Sequence, residues 1–128
     1  MGKFVIKKTN TGYNFNLKAN NGETIATSEV YTTLDAARNG VASVAKNAPI
    51  ANLEDQTLAD FEVAKHPKFE IYKDKSEQFR FRLKAKNGQV ISASEGYKSK
   101  KSCENGIASV RKNAAEADIT VAEKKEKK

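Results

Sequence analysis

One cysteine, one histidine, no tryptophan and two prolines are all that this 128-residue chain has of the residues that usually build metal sites, staples and rigid turns. With Cys103 alone there is no internal disulfide and no thiolate cluster for zinc, which fits a reducing compartment. His66 alone excludes a histidine-rich metal centre. No apolar run approaches the ~20 residues that cross a bilayer, and MGKFVIKK at the start lacks the apolar stretch of a secretory signal. Ile6 stands where a myristoylation signal carries Ser or Thr. The expectation is a cytoplasmic protein with no membrane contact. There is also no P-loop and no GxGxxG, so no phosphate cradle and no cofactor is implied.

What is present describes a folded domain. Hydrophobic residues make up 38% of the chain and charged residues 30%, close to the globular average. A chain of this length buries roughly two-thirds of its unfolded surface, enough for a core without staples. The net charge of +7 is unevenly placed. Residues 1–64 carry 6 basic against 7 acidic side chains, and residues 65–128 carry 17 against 9. The second half alone has the charge to attract an anionic partner.

The chain is written twice. KFVI at Lys3–Ile6 returns as KFEI at Lys68–Ile71. YNFNLKANNGETIATSEVY returns, after a one-residue insertion, as FRFRLKAKNGQVISASEGY, and NGVASVAKNA returns as NGIASVRKNA. Within each copy the periodicity changes in the same order. Phe4 and Ile6, then Tyr13, Phe15, Leu17 and Ala19, alternate with polar residues as half-buried strands do, and so do Phe69, Ile71, Phe79, Phe81, Leu83 and Ala85. Asn21-Gly22 and Asn87-Gly88 read as type I′ hairpin turns into a third strand at Ile25 or Ile91. Ala37, Gly40, Val41, Val44 and Ala48 then fall on one helical face, as do Cys103, Gly106, Ile107, Val110 and Ala114. Thr32 or Thr33 and Ser99 suit the N-caps, and Asn47 and Asn113 suit a left-handed closing residue. Glycine on the apolar face, which costs about 1 kcal/mol against alanine, implies a close approach to the sheet. A last apolar segment, near residues 50–53 and 119–121, completes each unit.

The reading is therefore an α+β fold of two tandem β-β-β-α-β repeats, mainly antiparallel strands with the two helices collected on one face. Residues 1–56 form the first repeat, 57–66 a connection, 67–121 the second repeat, and 122–128 a charged tail without fixed structure. The two repeats fold as one domain.

These residues, above all FRFRLKAKNGQVISASEGYKSKKSCENGIASVRKNA with KFEIYKDKS and the linking LEDQT, resemble the YegP-like family of small bacterial tandem-repeat proteins over nearly the whole chain. The resemblance implies that the repeats share one sheet and exchange their C-terminal strands. It implies no biochemical activity. The first repeat departs from the pattern at VYTTLDAARNG, and Ala115 stands where proline is usual.

For chemistry, the sequence offers little to an enzyme. His66 precedes Pro67 in the connection, and Cys103, although near a helix start, has Ala37 as its counterpart and reads as core. No catalytic, cofactor-binding or metal-binding residue is assigned. Ser28, Glu29 and Tyr31, repeated as Ser94, Glu95 and Tyr97, read as structural hydrogen-bonding groups or as partners of Lys46 and Lys112. Arg80, Arg82 and Lys84 project from one side of a strand and form an anion or nucleic-acid contact that Lys98, Lys100 and Lys101 extend. Asn39, Ser43 and Lys46, matched by Asn105, Ser109 and Lys112, form a repeated polar stripe that suits a partner surface.

The first functional reading is a noncatalytic interaction or structural module, monomeric, with self-association through sheet edges as one option. The alternative is an accessory nucleic-acid binder using the basic outer face of the second repeat. An enzyme with an unrecognised site comes third.

Overall fold

The computed structural model describes residues 2–19, 21–114 and 118–122. Each repeat supplies three strands, a helix and a fourth strand. The first repeat contains β1 (Lys3–Lys8), β2 (Tyr13–Lys18), β3 (Thr24–Thr27), α1 (Leu34–Asn47) and β4 (Asn52–Asp55). The second contains β5 (Lys68–Lys73), β6 (Phe79–Lys84), β7 (Val90–Ala93), α2 (Lys100–Ala114) and β8 (Asp118–Ala122). All eight strands join one sheet in the order β4-β5-β6-β7-β3-β2-β1-β8.

The inner pairings are antiparallel, whereas the two outermost are parallel: β4 beside β5, and β8 beside β1. Each repeat's closing strand therefore lies against the other repeat's opening strand. Between the repeats, β3 and β7 are in register at Thr27 and Ala93 alone. Both helices cover one face. Phe4, Ile6, Phe15 and Leu17 from one repeat and Phe69, Ile71, Phe81 and Leu83 from the other form a single core with Ala37, Val41, Val44, Cys103, Ile107 and Val110. Burying each large apolar side chain contributes roughly 1.5–3 kcal/mol, so these positions fix the register of the whole sheet.

The glycines on the helices serve a tyrosine. Tyr31 stacks on Phe15 and Tyr97 on Phe81, at 6.1 and 6.3 Å between ring centres. A Cβ at Gly40 would stand 2.4 Å from the Tyr31 hydroxyl, and one at Gly106 would stand 2.6 Å from that of Tyr97. The close approach is thus to this ring, which is wedged between helix and sheet.

Two local expectations are corrected. Asn47 has φ −89° and ψ −33°, and its helix runs on into a 3-10 turn at Ala48–Ile50. Asn113 lies inside α2, and neither asparagine has positive φ. Their side chains instead donate back to the carbonyls of Ser43 and Ser109. The hairpin turns are not type I′ either, because only the glycines, Gly22 at φ 89° and Gly88 at φ 85°, are left-handed. Gly88 N–H donates to the Ala85 carbonyl and Ala85 N–H to that of Gln89, which makes a three-residue loop closed by a glycine bulge. Thr33 and Ser99 cap the helices as expected, accepting from the amides of Ala36 and Ser102. Residues 123–128, most of the expected tail, lie outside the described residues.

Candidate functional site

The cation row of β6 lies on the face away from the helices, and each member meets a carboxylate. Arg80 Nε donates to Asp74 Oδ2 at 2.6 Å, and Arg82 Nε donates to Glu70 Oε1 at 2.5 Å. Lys84 Nζ is 3.3 Å from Glu70 Oε2. The Arg82 guanidinium also covers the Tyr72 ring at 4.4 Å. At the start of α2, Lys100 pairs with Asp55 at the end of β4. Lys98 and Lys101 are exposed. Charge-assisted bonds of this kind are the stronger hydrogen bonds in proteins, so a phosphate would have to compete with them.

Behind the row lies a buried network. Lys68 Nζ is 2.6 Å from Glu54 Oε1 and 3.3 Å from Glu70 Oε2, and all three residues are almost inaccessible. The connection closes over it: Ala64 N–H donates to Glu54 Oε1, Gln56 Nε2 donates to Glu54 Oε2, and Asn52 Nδ2 donates to the Lys65 carbonyl. Burial by itself would raise the Glu54 carboxyl, but these donors and the Lys68 charge outweigh it and bring its pKa down to about 2. Burial likewise opposes ionisation of Glu70, and the bonds from Arg82, Lys68 and Lys84 prevail to hold it below the ordinary value. Lys68 is held above its ordinary value for the same reason, its two carboxylates outweighing desolvation.

The repeat explains why these cations are there. Val5 faces Asn16 across β1 and β2, and at the matching register Glu70 faces Arg82. Likewise Thr9 caps the first turn of repeat one, and its hydroxyl accepts from the amides of Thr11 and Gly12. Asp74 does this in repeat two for Ser76 and Gln78 while its second oxygen takes Arg80, the counterpart of Asn14. Glu70, Asp74, Glu54 and Lys68 escaped the sequence reading. The paired changes Val5/Asn16 to Glu70/Arg82 and Thr9/Asn14 to Asp74/Arg80 were the signal that could have found two of them.

The repeated serines are structural hydrogen-bonding groups. Ser28 Oγ accepts from Phe15 N–H at 2.9 Å and donates to the Glu29 carbonyl at 2.7 Å, and Ser94 does the same with Phe81 and Glu95. Each replaces a rung of the ladder where the third strand leaves the sheet. Among the described residues Glu29 and Glu95 make no ion pair with Lys46 or Lys112. Glu29, Arg80 and Glu95 line an open cleft of about 580 Å³ at the seam between the repeats.

The structure brings Asn39, Ser43 and Lys46 together along a niche of about 370 Å³ between α1 and the second repeat's hairpin at Ala85–Asn87. On α2, Asn105 and Lys112 are exposed, and Ser109 is occupied by Asn113 Nδ2. Cys103 is fully buried, and burial, aided by Glu104 and Asp55, pushes its thiol up to about 11. His66 is exposed. Among the described residues no group of three or more His, Cys, Asp or Glu is placed to hold a metal, and no helix is long and apolar enough to cross a membrane.

The least expected feature is apolar. Ile50, Leu53, Leu58, Phe61 and Val63 are all exposed, Leu53 at 48% and Val63 at 76%, and all lie on β4, the turn before it and the connection after it. Asp60 and Glu62, also exposed, punctuate them.

Fold and surface together define a tandem-repeat α+β protein whose β6 cation row is paired within the chain and five of whose exposed large apolar side chains gather at one sheet edge. The chain belongs to the family described as a domain of unknown function (DUF1508), which matches residues 9–55 and 74–120. It is 46% identical over 114 residues to the UPF0339 protein YegP of Yersinia pestis, covering 88% of each chain. A UPF0339 protein of Treponema denticola is 65% identical over 52 residues, which is 90% of that protein and 41% of this chain. The solution structure of yegP from E. coli, a protein of unknown function, superposes with a TM-score of 0.79 at 34% identity, covering 98% of this chain and 96% of that one.

Proposed function

We propose that this protein is a noncatalytic interaction module whose contact surface is the β4 edge together with the connection that follows it. The observation that carries the reading is the collection of exposed apolar side chains at Ile50, Leu53, Leu58, Phe61 and Val63 beside a strand whose outer edge has no neighbour among the described residues. Contiguous apolar surface at such an edge is what strand-adding partners use, the backbone supplying affinity and the flanking side chains selectivity. The cation row gives no comparable support to a nucleic-acid reading, because Arg80, Arg82 and Lys84 already hold Asp74 and Glu70.

The test places a photo-crosslinking amino acid at Leu58 or Val63 in cells, with the exposed helix position Arg38 as control. Discrete adducts from the edge positions and none from Arg38 are expected. No adducts, or the same ladder from all three positions, would overturn the proposal. Turnover by the purified protein in hydrolase or redox screens would overturn its noncatalytic part.

A further inference from the structure

Among the described residues the sheet has two edges without a neighbour, β4 and β8, and they differ in a complementary way. On β4, Leu53 stands beside Phe69, so it lies on the helix face; on β8, Ile119 stands beside Phe4 and lies on that face too, 54% exposed. The open face differs between the edges. Beside β4 it carries the connection, bonded to Glu54 and Asn52 and bearing exposed Asp60 and Glu62. Beside β8 it carries β1, whose Lys3 and Lys7 are exposed and alternate with core-facing Phe4 and Ile6. Lys65 on the connection and Asp118 of β8, in register with Lys3, each offset one charge, so the first edge is apolar with an acidic excess and the second apolar with a basic excess.

Polarity agrees with charge. Five antiparallel pairings separate β4 from β8 across the sheet, so these two strands run in opposite directions. A second copy displaced sideways, without rotation, sets its β4 antiparallel to β8 of the first. Leu53 then meets Ile119 on the helix face, while Asp60 and Glu62 approach Lys3 and Lys7 on the open face. A twofold pairing of β4 with β4, or of β8 with β8, brings like charges together instead.

Resting on the β4-edge reading above, we infer that the partner of this edge is the β8 edge of another copy of the chain, joined head to tail by antiparallel strand addition. The contact is heterologous and does not close on itself, so copies add in line rather than in pairs. Strands of four and five residues make each joint weak and dependent on concentration.

The test uses the full chain and two substitutions, Leu53→Lys on one edge and Ile119→Lys on the other, each checked for an unchanged fold by circular dichroism. Sedimentation equilibrium of the parent at low salt is expected to show an average mass that climbs with concentration and falls back in high salt. Each variant alone is expected to remain monomeric. Mixed in equal amounts they are expected to form one-to-one dimers and nothing larger, because each retains the edge that the other lacks. A parent that is monomeric at every concentration, a mixture that stays monomeric, or association abolished by only one of the substitutions would each overturn the inference. Adducts from Leu58 and Val63 to other proteins, without self-association, would overturn the inference and leave the edge reading standing. No adducts and no self-association would sink both.

Discussion

Replacing Arg82 with the asparagine that repeat one carries at its place leaves Glu70, whose side chain is only 3% exposed, without its shortest partner. Removing one member of a buried ion pair typically costs 3–5 kcal/mol, because the charge left behind is not resolvated. Two facts reduce that figure here. Arg82 is itself 31% exposed, and Glu70 keeps Lys68 and Lys84 at 3.3 Å. We expect a loss of about 2 kcal/mol for Arg82→Asn. Glu70→Val removes one buried charge, leaves Arg82 and Lys84 facing water and leaves buried Lys68 with Glu54 as its remaining carboxylate, so about 1 kcal/mol is expected. The double change recreates the Val5/Asn16 pair of repeat one and should also cost about 1 kcal/mol, which makes the coupling between the sites about 2 kcal/mol.

Urea unfolding followed by circular dichroism measures all four corners of this cycle. The pH dependence gives a second reading. Because the folded-state pKa of Glu70 lies below the ordinary 4.5, its contribution is fully present above pH 4.5 and fades as the pH falls through the folded value. The stability gap between the parent and Glu70→Val should therefore narrow in acid. A coupling indistinguishable from zero, or an Arg82→Asn protein as stable as the parent, would refute the assignment of Arg82 to Glu70.

Other consequences follow from comparing the repeats. Ser92 Oγ is buried with no hydrogen-bond partner among the described residues, and repeat one has Ala26 there, so Ser92→Ala should raise stability by about 1 kcal/mol in the same urea experiment. A Cβ at Gly96 would stand 2.1 Å from Gln78 Oε1, whereas in repeat one Val30 lies against Gly12. Gly96→Val should therefore push the flexible end of Gln78 aside and lower the melting temperature only slightly, and adding Gln78→Gly should remove that loss. Cys103, buried with its thiol near 11, should react with iodoacetamide at pH 8 only after unfolding, whereas accessible modification of the folded protein would contradict its core position.

The strands, the helices and the apolar face were legible because they rest on periodicity, and the repeat supplied an independent second reading. Phe15 and Phe81 belong to the core by their alternation alone. Contacts fixed by register were harder to see. That Arg82 stands opposite Glu70 needs the pairing of β5 with β6, and that Glu54 lies under Ala64 needs the path of the connection. Local turn chemistry failed where side chains had other uses. Asn47 carries the residue type of a left-handed cap, yet its amide is bonded to Ser43, and the helix continues into the 3-10 turn. The apolar character of residues 50–63 was readable, but its exposure was not, since that depends on β4 being an edge.

A single repeat of this kind would present an uncovered first strand and carry a last strand with nothing of its own to lie against, and two such chains would complete each other by trading ends. The sheet seen here is that mutual completion written into one polypeptide. The connection from β4 to β5 replaces an encounter between molecules by an encounter within one, at an effective concentration on the order of millimolar. Its formation therefore does not depend on how much of the protein a cell contains.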